Sequence, residues 1–137
     1  MNRQAILNLL FAALSLFDIH PKLSDEIIRI IVGSGYETRF FKLLGVRLEY
    51  LSRYGVDATN HEEFELLRNG VFSMHLSSRG FNIRILYAFL PDRTPTLLAC
   101  FHERAGKRRT DYSDYINLAI SRLKERMEAF ESEQSEG

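Results

Sequence analysis

The chain has 137 residues, 45% of them hydrophobic, and 18 basic residues balance 18 acidic ones. This size favours a single domain built on one core and makes a second domain unnecessary. Cys100 is the only cysteine, which excludes an intramolecular disulfide. Because no cysteine or histidine cluster has metal-ligand spacing, we expect no metal site and a reducing, cytoplasmic compartment.

The neutral total hides an uneven distribution of charge. Residues 72–109 contain seven basic and two acidic residues, a net charge of +5, whereas residues 110–137 carry a net charge of −4. A positive field that belongs to one segment suits a polyanionic partner. The sequence therefore directs attention to residues 71–109.

An apolar run, residues 5–17, lies near the start of the chain. It is too short to span a bilayer and no small-residue cleavage site follows it, so we expect a packed helix or strand and no membrane association. We divide the chain into an N-terminal extension of residues 1–16, a domain of residues 17–130 and an acidic flexible tail of residues 131–137. The sequence leaves open whether the extension belongs to the working domain.

Two helices are expected after a possible first strand at residues 16–20. The first begins near Pro21 and ends at the glycines at 33 and 35. The second helix ends at Gly55, and its buried face is predicted from residues spaced by four and three positions. These residues are Phe40, Leu44, Leu48 and Leu51.

After a polar turn at residues 57–63 the hydrophobic period changes from 3.6 to 2, which predicts strands. We expect three hairpin-linked strands, at residues 71–77, 81–90 and 96–104. In the third strand, one predicted face holds Leu97, Ala99 and Phe101, and the other holds Leu98, Cys100, His102 and Arg104. A closing helix capped at Thr110 or Asp111 completes an α+β architecture.

If the three strands pair in chain order, one polar face gathers positively charged and titratable side chains. They are His75, Arg84, His102 and Arg104, with Arg79, Lys107, Arg108 and Arg109 at the rims. Guanidinium groups bind phosphate oxygens and histidine transfers protons near neutral pH, a combination suited to metal-independent RNA cleavage. Arg84 stands between Ile83 and Ile85, where a charge requires a ligand or a salt bridge, for example to Glu65. In the alternative interpretation, His75 is an ordinary surface histidine and the basic loop is a solvated turn.

Two stretches, FELLRNGVFSMHLSSRGFNIRILYAF and LLACFHERAGKRRTDYSDYINLAISRLKE, resemble the RelE/ParE toxin superfamily of bacterial toxin–antitoxin pairs, and most of all its phage Gp49-like and HigB-like branch. The resemblance covers roughly residues 16–127. It implies a small antiparallel curved sheet with two N-terminal helices and a C-terminal helix. It also implies ribosome-dependent cleavage of mRNA without a cofactor, and inhibition by a cognate antitoxin of the helix-turn-helix type.

The resemblance also implies roles for individual residues. Arg84 would contact the scissile phosphate, Arg104 would stabilise its charge, and Tyr112 or Tyr115 would supply a site tyrosine. His75 stands where RelE has a lysine that acts as general base, and Glu65 is the second candidate for that role. Glu103 departs from the pattern, since the branch usually has a lysine there. The RNA backbone would be contacted by Arg79, His102, Lys107, Arg108 and Arg109.

Two other functions remain open at this point. A ParE-like toxin of the same fold would bind and poison DNA gyrase, and a phage-derived binding protein would have no catalytic activity. The combination of His75, Arg84, Arg104 and a tyrosine favours the nuclease, with the ribosome and mRNA as partners. The low net charge favours the non-catalytic protein, because nucleic-acid binding draws on excess positive charge.

Overall fold

The computed structural model of the protein describes residues 1–103 and 109–136, with only the backbone for residues 109–111 and 136. Its elements are α1 (Arg3–Leu14), β1 (Asp18–Ile19), α2 (Leu23–Ile31), α3 (Glu37–Tyr54), a 3₁₀ helix (Gly55–Asn60), β2 (Phe64–Leu66), β3 (Phe72–Ser78), β4 (Phe81–Phe89), β5 (Pro95–His102) and α4 (Arg109–Glu136). The predicted α+β class is confirmed. None of the described helices is long and apolar enough to cross a membrane.

The strands form one curved, open sheet in the order β1-β5-β4-β3-β2. Three pairings are antiparallel, but β1 pairs with β5 in parallel, so the sheet is mixed and not wholly antiparallel as predicted. The first strand suggested at residues 16–20 is present as the two-residue β1, whereas the three-residue β2 was not predicted. Such lengths are too short to display a period of two.

Three α-helices precede the antiparallel strands, one more than the two predicted. The additional helix is α1, which forms from the apolar run near the start of the chain. Asn2 caps it by accepting a hydrogen bond from the backbone N–H of Ala5 at 2.8 Å. Ile6, Leu10 and Leu14, spaced by four, are its buried residues and lie in the same core as the buried faces of α2 and α3.

The sheet separates two hydrophobic cores. The larger core lies on the side of α1, α2 and α3 and includes the four residues predicted from the spacing in α3, none more than 4% exposed. The smaller core lies between the sheet and α4. Its buried members are Val71, Leu86, Ala88, Leu98, Ala99, Phe101, Ile116 and Ala119.

A bulge in β5 decides which face each of its residues occupies. Leu86 of β4 lies opposite Ala99, but the next residue, Tyr87, lies opposite Leu97, so Leu98 is an extra residue in β5. The prediction that Leu97 and Ala99 share a face is therefore wrong. Leu97 packs in the larger core, while Ala99 packs in the smaller one.

The edge of β5 beyond the short β1 is covered by an ion pair that joins α2 to α4. Arg122 contacts both carboxylate oxygens of Glu26 at 2.8 Å and donates to the carbonyl of Leu98 at 2.9 Å. Glu26 in turn accepts the backbone N–H of Cys100 at 3.2 Å. These contacts satisfy edge groups of β5 and hold α4 against the sheet.

Candidate functional site

Three of the predicted catalytic residues lie on the α4 side of the sheet. His75 of β3 and Arg84 of β4 are directly opposite in the antiparallel register, which places their side chains on the same face. Tyr112, near the start of α4, places its ring centroid 5.8 Å from the guanidinium carbon of Arg84. The fourth predicted catalytic residue, Arg104, lies outside the described residues.

Arg84 is held by two carboxylates and one hydroxyl. Its Nε donates to Glu103 at 2.7 Å and its Nη1 donates to Ser73 at 3.1 Å. Glu65, the partner suggested by the sequence, is more distant, with an oxygen 3.9 Å from Nη1. Burial is the largest single effect and lowers the pKa of Arg84, but the hydrogen bond to Glu103 and the electrostatic effects of Tyr112, Glu103 and Glu65 together outweigh it and raise that pKa above its ordinary value.

His75 is fixed at both ring nitrogens. Its Nδ1 lies 2.8 Å from the carboxylate of Glu63, and its Nε2 is hydrogen-bonded to the side-chain oxygen of Asn82. Arg47 of α3 donates to the backbone carbonyl of His75 at 3.0 Å. Sequence reasoning missed both Glu63 and Asn82. Asn82 could have been recognised from its position two residues before Arg84 on the polar side of β4 (Phe81–Phe89). No sequence pattern identified Glu63.

Tyr112 is the tyrosine that approaches Arg84. Burial raises the pKa of its hydroxyl, with Ser73 and the charge of Arg84 acting in the opposite direction. Tyr115 instead stacks on Phe101, with ring centroids 4.0 Å apart and planes within 6°, and so packs against the smaller core.

His102 lies on the opposite face of the sheet from Arg84. Its register partner is Ile83, a member of the larger core, because the bulge at Leu98 fixes the phase of the second half of β5. The prediction that His102 joins His75 and Arg84 on one polar face is therefore wrong. The Nε2 of His102 lies 3.4 Å from the backbone nitrogen of Asn82.

The predicted RNA-binding residues are distributed around this face. Arg79 is exposed in the turn between β3 and β4, where its carbonyl accepts a hydrogen bond from Arg39. Lys107 and Arg108 lie outside the described residues, and Arg109 begins α4 with no description of its side chain.

The described part of the site is not strongly positive. Glu63, Glu65 and Glu103 offset Arg47 and Arg84, so the five groups together carry one negative charge. Four of the seven basic residues counted between positions 72 and 109 occur at positions 104–109, directly after Glu103 in the sequence. The charge count along the sequence therefore assigned to the strands a positive charge that belongs mostly to the segment after β5.

A groove of about 480 Å³ opens beside Arg84, between β2 and the start of α4. Glu65 and Tyr112, both neighbours of Arg84, form one part of its wall, and Leu66, Arg68 and Ile116 form another. Of the three predicted catalytic residues described, only Tyr112 lines this groove, while Arg84 contacts its wall residues Glu65 and Tyr112. The face thus brings together an imidazole, a guanidinium and a phenol.

Among the residues that the structure describes, no group of three or more histidine, cysteine, aspartate or glutamate side chains is arranged to hold a metal ion. No protein-family model matches the chain. A comparison with curated proteins likewise finds no significant match.

Proposed function

We propose that the protein is a RelE-like toxin of a type II toxin–antitoxin pair, acting in the cytoplasm as a metal-independent, ribosome-dependent endonuclease on mRNA and neutralised by a cognate antitoxin. The observation that supports this most is the grouping of His75, Arg84 and Tyr112 on one face of the sheet. Each of the three has a chemical property that the reaction requires. We infer the substrate, mRNA on the ribosome, from the resemblance of the surrounding sequence to the RelE/ParE superfamily.

In the proposed reaction, the 2′-hydroxyl of the RNA attacks the adjacent phosphorus. His75 removes the hydroxyl proton as the new O2′–P bond forms, and Arg84 stabilises the charge that develops on the phosphoryl oxygens. Tyr112 keeps its proton at neutral pH, since the ordinary pKa of a tyrosine is about 10 and burial raises it further. It protonates the leaving 5′-oxygen as the P–O5′ bond breaks. The products are a 2′,3′-cyclic phosphate and a 5′-hydroxyl, and neither a metal nor a cofactor takes part.

The Arg84–Glu103 ion pair favours a second candidate, a non-catalytic binding protein. An arginine that is 18% exposed and bonded to a carboxylate at 2.7 Å already has the partner that its charge requires. In the nuclease, a phosphate must displace Glu103 from Arg84. The two candidates therefore differ in whether Arg84 exchanges its carboxylate for a phosphate.

Expression of the chain in a bacterium tests the proposal. We expect growth arrest with mRNA cut on translating ribosomes, and we expect Arg84→Ala and His75→Ala to abolish both effects. Arg53→Ala is a matched control, because Arg53 is an exposed arginine on α3 whose only described ion pair is with Glu49 on the same helix. Circular dichroism establishes that each variant is folded.

The alternatives give different results in the same experiment. Arrest with intact mRNA and failed DNA supercoiling would identify a gyrase poison of the ParE type. Normal growth in the presence of folded wild-type protein would favour the non-catalytic candidate and contradict the nuclease.

A further inference from the structure

Glu63 contacts His75 twice. Its backbone carbonyl accepts the N–H of His75 at 2.8 Å, as β2 begins to pair with β3, and its carboxylate lies 2.8 Å from Nδ1 of the imidazole. Arg47 is the other charged group near this carboxylate, but the distance from its Nη2 is 3.9 Å. The imidazole is therefore the nearer partner of Glu63.

The chemistry of the two partners determines where a proton resides on His75. The Glu63 oxygen that lies 2.8 Å from Nδ1 is buried and makes no hydrogen bond in the described structure. A carboxylate accepts hydrogen bonds and does not donate them at neutral pH, so a hydrogen on Nδ1 is the arrangement that satisfies this oxygen. The amide of Asn82 at Nε2 can present either its oxygen or its NH₂ group. Nε2 carries a hydrogen in the first case and a free lone pair in the second, but Nδ1 is protonated in both.

We infer that Glu63 is a positioning residue, which holds Nδ1 of His75 protonated and leaves Nε2 as the nitrogen that exchanges a proton with RNA. Fixing the tautomer and the ring plane in this way is the general role of a carboxylate paired with a catalytic histidine. Asn82 occupies Nε2 in the absence of substrate and gives up that place to the 2′-hydroxyl. This inference deepens the proposed function, and its catalytic part rests on it.

Long-range ¹H–¹⁵N spectra of the histidine rings test the pairing without any activity measurement. In ¹⁵N-labelled protein at neutral pH, with the His75 signals assigned from a His75→Asn variant, we expect Nδ1 of His75 to be protonated. In Glu63→Ala we expect the protonated Nδ1 population to fall in favour of the Nε2–H tautomer. Glu62→Gln is the matched control, since Glu62 is exposed beside Glu63 and should leave the His75 signals unchanged.

Either of two results would overturn the pairing. One is a wild-type His75 that carries its single hydrogen on Nε2, and the other is a Glu63→Ala spectrum identical to that of the wild type. The substitution is a fair test, because the bond between Glu63 and His75 that aligns β2 with β3 is made by the main chain. A thermal melt monitored by circular dichroism checks that the variant retains the fold.

The catalytic role is tested with purified protein on programmed ribosomes. We expect Glu63→Ala to lower kcat by about 10- to 100-fold, less than the roughly 100- to 10,000-fold that an acid or base itself supplies, with little change in KM. Because Glu63 acts through His75, the double variant with His75→Ala should be no slower than His75→Ala alone. Wild-type kcat in Glu63→Ala, or additive losses in the double variant, would refute the positioning role.

The proposed function and the inference about Glu63 are refuted by different results. Wild-type protein that cleaves no RNA would refute the proposed function, while the ring spectra would still decide whether Glu63 sets the tautomer. Cleavage that depends on His75 but not on Glu63 would instead leave the function standing and refute the inference.

Discussion

Replacing Glu103 with glutamine should tighten the binding of RNA. Glu103 is the nearest anionic partner of Arg84, with its oxygen 2.7 Å from Nε. If Arg84 binds the scissile phosphate, this carboxylate competes with the substrate for the same guanidinium. Glutamine keeps the size and the acceptor oxygen of the side chain but removes the charge, so the competition weakens while the packing remains.

The expected gain follows from the exposure of the pair. A hydrogen bond to a charged group contributes about 1.5–3 kcal/mol to stability. The side chain of Glu103 is 32% exposed, and solvent screening reduces such contributions, so we use about 1 kcal/mol. That free energy corresponds to about a fivefold lower Kd. Glu65 lies 3.9 Å away and is 60% exposed, so its replacement should change the Kd by less than about twofold.

Fluorescence anisotropy with a labelled single-stranded RNA measures the effect at a fixed salt concentration. Glu49→Gln is the charge-matched control, because it removes one exposed negative charge from α3 and reports the non-specific effect of net charge. Equal Kd values for Glu103→Gln and Glu49→Gln would refute the competition. So would an Arg84→Ala protein that binds RNA as tightly as the wild type.

Three further predictions concern stability and are measured by urea unfolding. Arg122→Ala should lower the free energy of unfolding by about 3–5 kcal/mol, because it leaves the Glu26 carboxylate, which is only 16% exposed, without its guanidinium partner, whereas exposed Arg53→Ala should change it by under about 0.5 kcal/mol. Burial would raise the pKa of Asp18, but the hydrogen bonds from Arg126 and Thr96 and the charge of Arg126 together outweigh burial and lower that pKa. The stability advantage of wild type over Asp18→Asn should therefore be complete above about pH 4 and decline as pH falls below it; a pH-independent difference would contradict this. Ile6→Ala should cost about 2–5 kcal/mol, since Ile6 is fully buried, and an unchanged midpoint would show that α1 contributes nothing to the fold.

The parts of the fold that follow from local periodicity were predictable from the sequence. The four apolar residues of α3 repeat every three or four positions because one stripe of that helix is buried. In β3 the alternation separates Met74 and Leu76, which lie in the larger core, from His75. Neither pattern depends on which element lies opposite. The α+β class and the hairpin of β3 and β4 could therefore be predicted without knowledge of the strand pairing.

The rest depends on pairings between residues that are distant in the chain. The bulge at Leu98 arises where β5 must fill two cores at once, and no feature of the single strand shows that an extra residue occurs there. The contact between Glu63 and His75 exists only because β2 pairs with β3, and β2 is too short to predict. Arg122 looks like an ordinary polar residue of an amphipathic helix until Glu26 is placed across the edge of the sheet.

The position of the positive charge shows why counting along the chain misleads about a site. The sum of charges along a segment treats every charge as free to bind a ligand, yet Arg84 of β4 is neutralised by Glu103, the residue that follows β5. In the proposed nuclease, most of this segment's charge that is left for RNA comes from positions 104–109, which follow Glu103 in the sequence. Arg84 becomes free to bind the scissile phosphate only when the substrate displaces Glu103. This displacement therefore links RNA binding to the chemistry at His75.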